Sequence, residues 1–282
     1  MTTLTFGYSP CPNDTFIMAG LAHNRVESPL KFKPFLEDVE TLNQRALQQV
    51  FDITKLSFMA LGWVRETYAL LYSGAALGRG CGPLIVARPG RTLEELAQSI
   101  IATPGALTTA TLLLGLYLQK VPRVEHMVFS DIMPAVAAGR FDFGVVIHEG
   151  RFTYREYRLS AVLDLGEWWE NETGCPIPLG GIAIRRTLGS DVARLVDQAI
   201  KKSLMLASQE RRATMTYVLE HAQEMDIEVV ERHIQLYVND FTHDLGSEGL
   251  DAINTLFTCA EAANLIPQSN TELMAYPPPK TA

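Results

Sequence analysis

One histidine stands where catalytic groups are often found in α/β proteins. His148 follows the apolar run at residues 143–147 and precedes Glu149 and Gly150. The run predicts a buried strand, which places the imidazole at the carboxyl end of that strand, facing a ligand cleft. An ordinary histidine titrates near pH ~6.5 and can accept a proton at neutral pH. We predict that His148 is a proton acceptor; the alternative is a histidine with a purely structural role.

A second polar segment, Ser-Pro-Cys-Pro-Asn-Asp-Thr at residues 9–15, lies between a predicted strand at 4–8 and a predicted helix at 16–21. Pro10 and Pro12 each fix a backbone φ angle, so the turn is stiff. Such a strand-to-helix turn is a common ligand site in α/β proteins.

Within this turn, Asn13 or Asp14 is expected to cap the helix and leave its first N–H groups facing the ligand. We include Ser9 and Asn13 among the predicted substrate-binding residues. The alternative is a well-capped helix with no ligand.

Thr108 and Thr109 follow a predicted strand and begin a predicted helix at residues 109–118. Two hydroxyl groups and the first N–H groups of a helix suit a carboxylate. An ordinary N-cap threonine explains the pattern equally well.

The segment Thr54-Lys55-Leu56-Ser57 ends the third predicted strand at the corresponding level. Lys55 could pair with an acidic ligand, whereas a lone lysine at a strand end is more often exposed to solvent.

Short β-type runs alternate with helical patterns along most of the chain, which predicts βαβ units and a mostly parallel sheet. The predicted strands are residues 4–8, 30–35, 52–56, 68–72, 84–88, 100–102, 124–129, 143–147, 159–164 and 182–185. The predicted helices are residues 16–22, 39–47, 58–65, 92–97, 109–118, 131–138, 192–207, 211–222, 229–237 and 249–263, with another around Trp168. Thr92 and Glu95 have capping-box spacing, and residues 276–279 are expected to form a frayed tail.

Glycine-rich residues 73–83, which include the predicted binding residue Gly78, and Pro/Gly-rich residues 174–181 are predicted to carry the chain between two lobes. The first lobe would comprise residues 1–87 and 182–282, and the second residues 88–181. A cleft between two α/β lobes is a usual place for a small ligand.

Composition excludes several classes of protein. The net charge of −8 and the pI near 5.3 argue against a nucleic-acid partner. The four cysteines are scattered singly, which argues against a zinc site or a redox pair, and no His/Glu/Asp spacing suggests a metal site. There is no phosphate-binding glycine motif, so no cofactor is expected. No export signal and no apolar stretch of about 18 residues is found, so we expect a cytoplasmic protein without a membrane anchor.

Five separated motifs resemble the 1,4-dihydroxy-6-naphthoate synthase family of the futalosine route to menaquinone. They lie at residues 9–16 (SPCPNDTF), 36–43 (LEDVETLN), 54–57 (TKLS), 74–80 (GAALGRG) and 147–154 (IHEGRFTY). The resemblance covers nearly the whole chain, and the order of the motifs makes it specific. Ala75 and Gly150 depart from the family pattern, in which glycine and serine are expected.

The resemblance implies a two-lobed, type 2 periplasmic-binding-protein-like α/β fold with a central cleft and two interlobe crossings. It also implies a cytoplasmic carbon–carbon lyase that converts cyclic dehypoxanthine futalosine to 1,4-dihydroxy-6-naphthoate without metal or redox cofactor. His148 would be the proton acceptor, and residues 54–57, Thr108 and Thr109 would contact the aromatic carboxylate substrate.

Two other functions are considered. One is the chorismate dehydratase of the same pathway and fold; His148 and the turn at residues 9–15 favour the synthase. The other is a solute-binding protein that holds a ligand in the same cleft without changing it. The sequence leaves a homodimer open.

Overall fold

The computed structural model describes residues 2–223 and 226–278. The strands are β1 (Thr3–Tyr8), β2 (Lys31–Leu36), β3 (Ile53–Ser57), β4 (Tyr68–Leu70), β5 (Ala76–Gly78), β6 (Leu84–Ala87), β7 (Ile101–Thr103), β8 (Val124–His126), β9 (Phe143–Val146), β10 (Ser160–Asp164) and β11 (Ile177–Arg185). The α-helices are α1 (Pro12–Ala22), α2 (Val39–Leu47), α3 (Phe58–Val64), α4 (Thr109–Leu118), α5 (Phe129–Ala137), α6 (Gly150–Thr153), α7 (Leu165–Thr173), α8 (Gly189–Gln209), α9 (Arg211–His221), α10 (Ile227–Tyr237), α11 (Asp240–His243) and α12 (Gly246–Ala262).

The strands form two mixed sheets. The first has the order β2-β1-β3-β11-β4, and β5 also pairs with β11; the second has the order β10-β6-β9-β7-β8. Strand β1 is parallel to β2 and β3, and β7 is parallel to β8 and β9. Strand β11 is antiparallel to β3, β4 and β5, whereas β6 is antiparallel to β9 and β10. The prediction of a mostly parallel sheet is therefore wrong.

The reversed strands have a topological cause. Strands β1, β3, β7 and β9 end at the edges where the two sheets face each other, but β6 and β11 begin there because the chain has just crossed from the other sheet. A strand that begins at that edge must run against its neighbours.

Both crossing segments contain strand residues that the sequence analysis did not predict. Strand β5 lies in the glycine-rich segment and pairs with the start of β11, where Gly78 is opposite Ile177. The two segments thus satisfy each other's backbone hydrogen-bonding groups. Strand β6 belongs to the second sheet and β11 begins at Ile177, while the predicted lobe boundaries follow residues 87 and 181. The division into two lobes at those boundaries stays a prediction.

Three smaller predictions are wrong. Leu93–Gln98 is a 3₁₀ helix, and Thr92 makes no side-chain cap to it. Strand β8 ends at His126, short of the predicted end at residue 129, because α5 begins at Phe129.

Of the predicted frayed tail, Tyr276 is instead packed against the body of the protein, whereas residues 277–278 are exposed. The Tyr276 ring lies 5.1 Å from the Tyr72 ring, and the N–H of Ala275 donates to the Leu70 carbonyl at 2.9 Å. Tyr276 is buried. Pro279, also part of the predicted tail, lies outside the described residues.

Apolar packing on both sheets makes the core. Phe6, Phe16 and Ile17 are among the buried residues of the first sheet and its helices, whereas Trp169 is buried in a cluster that reaches both sheets. In residues 2–223 and 226–278, no helix has both the length and the apolar composition needed to span a membrane.

A close backbone approach joins the first crossing to α7. A Cβ atom placed on Gly82 would lie 2.3 Å from the Cα of Gly166, and one on Gly166 would lie 2.8 Å from the Cα of Gly82. Neither backbone can move without shifting the start of β6 or of α7. Glycine at both positions therefore allows the crossing to pack against the helix.

We expect Gly82→Ala to lower the free energy of unfolding by about 1–3 kcal/mol, the usual cost of forcing extra atoms into a packed site. Urea titration of the variant and the wild-type protein measures this difference in the free energy of unfolding. Gly150→Ala is the matched control, because its Cβ would have its nearest contact at 3.3 Å, with the Cβ of Val146. Equal unfolding midpoints for the two variants would contradict this account of the crossing.

Candidate active site

A cavity lies where the carboxyl ends of strands from both sheets meet. It receives residues from the segments after β1, β7 and β9, from the end of β3 and from the start of β11. The lining residues are Ser9, Asn13, Asp14, Val39, Lys55, Leu56, Ser57, Ala76, Cys81, Pro83, Thr108, Thr109, Ala110, Ile147, His148, Leu179, Gly180 and Tyr237. Residues far apart in the sequence are thus brought to one place, as the central cleft requires.

Two predicted binding residues do not line this cavity. Thr54 is fully buried in β3, and its hydroxyl donates to the Lys55 carbonyl at 3.1 Å. Gly78 lies in β5, where a Cβ would face the Asn239 side chain at 3.1 Å. Sequence motifs mark a whole segment, but the pleat of a strand turns only part of it towards a ligand.

The first polar turn differs from the prediction. Helix α1 begins at Pro12, with Cys11 as its N-cap residue, so Asn13 and Asp14 belong to the first helical turn and do not cap it. Proline at the first helical position has the φ that a helix needs and lacks the N–H that would go unpaired there. The Asp14 carboxylate instead accepts a hydrogen bond of 2.7 Å from the Ser9 hydroxyl.

Asp14 also forms a buried ion pair with Lys55. The Lys55 Nζ lies 2.9 Å from Asp14 Oδ1 and donates to the Gly74 carbonyl at 3.1 Å. Both side chains are almost completely buried, with 6% and 3% of their surfaces exposed, so Lys55 is not a solvent-exposed lysine. Because its charge is matched by Asp14, an acidic ligand meets a neutral pair here and not a free cation.

The hydroxyl groups of the two threonines are used within the protein. Thr108 caps α4, accepting from the Thr111 N–H at 3.3 Å and donating to the Gly105 carbonyl at 3.0 Å. Thr109 Oγ1 accepts from the Phe58 N–H at 2.9 Å and donates to the Leu179 carbonyl at 2.6 Å. These bonds place the start of α4 against β3 and β11.

The N–H groups of Thr109 and Ala110, the first two of α4, have no acceptor inside the helix, and Ala110 lines the cavity. An anion would therefore be held by the backbone of this turn, with the hydroxyl groups fixing where the turn lies.

Sequence reasoning missed a buried polar residue that contacts Ser57 in the cavity wall. Asn43 on α2 is fully buried and accepts from the Ser57 N–H at 3.0 Å. Its Nδ2 lies 3.2 Å from Ser57 Oγ and 3.3 Å from the Leu107 carbonyl. Glu40, one turn earlier, accepts from the Leu107 N–H at 3.1 Å. The spacing of three residues predicts that Glu40 and Asn43 lie on the same face of α2. Only the fold shows that both bond the backbone of Leu107.

His148 occupies the left-handed region, with φ of 52°, in the turn after β9. Its Nδ1 lies 3.2 Å from the Sγ of Cys11. The ring meets Phe129 edge-on, with centroids 5.1 Å apart, and its centroid lies 6.0 Å from that of His233. The turn and these side chains hold a half-buried imidazole at the cavity wall.

His233 on α10 is a fully buried neighbour of His148. Its Nε2 lies 2.9 Å from Asn13 Oδ1, while Asn13 Nδ2 donates to Asp14. Asn13 thus accepts through Oδ1, which places the His233 proton on Nε2. Among the described residues Nδ1 has no hydrogen-bond partner. Burial, and secondarily the nearby His148, hold the pKa of His233 well below its usual value, so this ring is neutral.

No group of three or more His, Cys, Asp or Glu side chains in the described part of the chain is arranged to hold a metal ion. The polar groups around the cavity instead form one connected frame. It consists of Ser9, Asn13, Asp14, Lys55 and His233, all with little exposure to solvent.

Comparison with known proteins decides the family. Residues 4–262 match the model of a family described as "Menaquinone biosynthesis". The chain belongs to this family. Two curated relatives are each named 1,4-dihydroxy-6-naphtoate synthase. The relative from Thermus thermophilus is 49% identical over 94% of this chain and 96% of its own, and the one from Streptomyces coelicolor is 43% identical over 98% and 99%.

Solved structures show the fold of this chain. A protein of Archaeoglobus fulgidus superposes with a TM-score of 0.88 at 33% identity, covering 94% of this family member and 98% of the other chain. The ligand-binding component of an ABC-type import system from Staphylococcus aureus gives a TM-score of 0.70 at 15% identity, with 98% and 97% coverage. The alkanesulfonate-binding protein of Xanthomonas axonopodis gives 0.69 at 14%, with 95% of each chain covered. The fold is thus the periplasmic-binding-protein-like α/β fold.

Removing one partner of the buried ion pair should destabilise the protein strongly. We expect Lys55→Met to cost about 3–5 kcal/mol of unfolding free energy, because the Asp14 carboxylate stays buried without its cation. In the double variant Asp14→Asn/Lys55→Met, no buried charge is left, and much of the loss should be recovered. Urea titration of the single and double variants measures the coupling, and additive losses would contradict it.

His233 should make stability depend on pH. Its pKa is lowered by folding, so below pH ~6.5 the unfolded chain binds a proton that the folded protein excludes, and stability falls as the pH falls. The loss approaches about 1.4 kcal/mol per pH unit for this one proton. We expect His233→Gln to flatten the dependence between pH ~7 and pH ~5. The exposed His243 gives the control, His243→Gln, which should keep the wild-type slope. Parallel curves for all three proteins would refute the assignment.

Proposed function

We propose that this protein converts cyclic dehypoxanthine futalosine to 1,4-dihydroxy-6-naphthoate in menaquinone biosynthesis. The observation that carries the proposal is the placement of His148, in a chain 49% identical to a curated synthase, at the wall of a cavity between the two sheets. It is the cavity residue best suited to take a proton at neutral pH.

In this proposal the reaction begins when His148 takes a proton from a carbon of the bound substrate. The electron pair of that C–H bond forms a new double bond and completes an aromatic ring, while a carbon–carbon bond to the sugar-derived part breaks. The electron pair of the broken bond leaves with the sugar-derived fragment, which takes up a proton. Aromatisation supplies much of the driving force. The protein contributes a fixed geometry, a base and exclusion of water, with no metal or redox cofactor taking part.

The substrate carboxylate is proposed to lie at the start of α4. Its first-turn N–H groups carry the partial positive charge of the helix dipole, and the Ser57 hydroxyl lies in the same wall. Thr108 and Thr109 act by fixing this turn through their hydrogen bonds to Gly105 and Leu179. Lys55, paired with Asp14, contributes its remaining donor capacity and the shape of the floor.

The proposal also includes a cytoplasmic location and closure of two lobes over the substrate. Synthesis of a small aromatic acid from a soluble precursor suits the cytoplasm. The lobes, at residues 1–87 with 182–282 and at 88–181, would close over the substrate. A homodimer remains a prediction.

We expect His148→Ala to reduce turnover by about 10²–10⁴-fold, the usual contribution of a general base, with little change in substrate affinity. Purified protein is mixed with cyclic dehypoxanthine futalosine, and product is followed by chromatography with mass detection. His243→Ala, a change at an exposed histidine, is the control and should turn over normally.

Near-normal turnover by His148→Ala would remove this residue from the mechanism. Tight binding of the substrate without product, in the wild-type protein, would support a solute-binding function. Conversion of chorismate but not of the futalosine derivative would identify the dehydratase of the pathway instead.

A further inference from the structure

The thiol of Cys11 is the side chain that meets the candidate base most closely. Its Sγ lies 3.2 Å from Nδ1 of His148 and 4.0 Å from Nε2, so Nδ1 is the nearer nitrogen. Among the hydrogen bonds of the described residues, this is the one made by the His148 imidazole. Whether the thiol donates to Nδ1 or accepts from it therefore decides which ring nitrogen can act as a base.

The position of Cys11 is fixed from both sides. Its N–H donates to the Ser9 hydroxyl at 3.3 Å, and its carbonyl accepts from the N–H and the hydroxyl of Thr15, each at 3.0 Å. It is also the N-cap residue of α1 and is 5% exposed. The backbone of Cys11 is thus held by the same turn that carries Asp14, and close packing around the buried side chain keeps Sγ beside His148.

The thiol is neutral. Burial raises the pKa of Cys11 well above its usual value, and the carboxylates of Glu149 and Asp14 raise it further. These effects outweigh the hydrogen bond from Ser9, which favours the thiolate. A neutral sulfur adjoining an imidazole is a weak acceptor and a weak donor.

Only one arrangement lets His148 act through its free nitrogen. If Nδ1 carries the proton and donates to Sγ, the lone pair of Nε2 is open to a substrate. If the thiol donates to Nδ1, the proton of the neutral ring lies on Nε2, which cannot then accept another. The first arrangement also persists in the imidazolium formed by proton abstraction, since Nδ1 keeps its proton and its acceptor. No group must reorient during the reaction, which is the property of a preorganised site.

We propose that Cys11 is a positioning residue for His148: its sulfur accepts the Nδ1 proton and so holds the imidazole in the tautomer whose Nε2 takes the proton from the substrate. This inference rests on the proposed function of His148 as the base. The proton moves from a substrate carbon to Nε2, and the thiol keeps its own proton throughout.

The test combines kinetics with ¹⁵N NMR of histidine-labelled protein, at a pH where the ring is neutral. The His148 signals are assigned by their loss in His148→Ala. We expect wild type to show a protonated Nδ1 and an unprotonated Nε2. In Cys11→Ala the tautomers should mix, and kcat should fall by about 10- to 100-fold, as when an orienting partner of a histidine is lost. KM should stay near the wild-type value.

Two further variants separate this role from a structural one. Cys11→Ser retains an acceptor at the same position and should recover most of the wild-type tautomer and rate. Cys175→Ala, at a half-buried cysteine outside the cavity lining, should match wild type in both readouts. Circular dichroism checks that each variant is folded.

Several results would overturn the proposal. One is a wild-type ring protonated on Nε2, and another is a Cys11→Ala protein with wild-type kcat and tautomer. A loss in Cys11→Ser equal to that in Cys11→Ala would also contradict the acceptor role. If wild type fails to convert the futalosine derivative, the proposed function fails, whereas the NMR result still tests the contact of Cys11 with His148.

Discussion

The buried carboxylate of Asp14 is the interaction on which the rest of the site depends. It is bonded to the Ser9 hydroxyl, to the Asn13 amide and to the Lys55 ammonium group, and Lys55 in turn holds the Gly74 carbonyl. One charge thus joins the turn after β1 to strand β3 and to the first crossing. A charge this deeply buried is tolerated only with its cation and hydrogen bonds complete, so the parts it joins must fold together.

This frame explains why so few polar groups are left to do chemistry. Through Asn13 it fixes His233, and through the helix start it fixes Cys11, which contacts the candidate base. Side chains that look like ligands in the sequence are here structural members whose donors and acceptors are already occupied. His148, whose imidazole contacts the weakly hydrogen-bonding thiol of Cys11, and the N–H groups of Thr109 and Ala110 at the start of α4 are left for the proposed proton transfer beside a bound acid.

Polar side chains are also used for structural hydrogen bonds where the two sheets meet. Glu40 and Asn43 on α2 bond the N–H and the carbonyl of Leu107, just before α4, and Thr109 at the start of α4 accepts from the Phe58 N–H after β3. These bonds reach the backbone of Leu107 and Phe58, so they depend on chain position more than on side-chain identity at those two places. Any movement of the sheets relative to each other, as substrate enters, has to break or exchange them.

Local pattern in the sequence determined most element types, the strand that ends before His148, the start of α4 at Thr109 and the segments that supply the cavity. These follow from periodicity, capping and proline, which act within a few residues. Tertiary structure alone decided that β6 and β11 run against their neighbours, that Lys55 is paired with Asp14, and that Thr54 turns away from the cavity. It also decided that Cys11 meets His148 across 137 residues of chain. A single sequence records which groups are present, but the partner of a buried charge or thiol is set by the long-range packing that removes it from water.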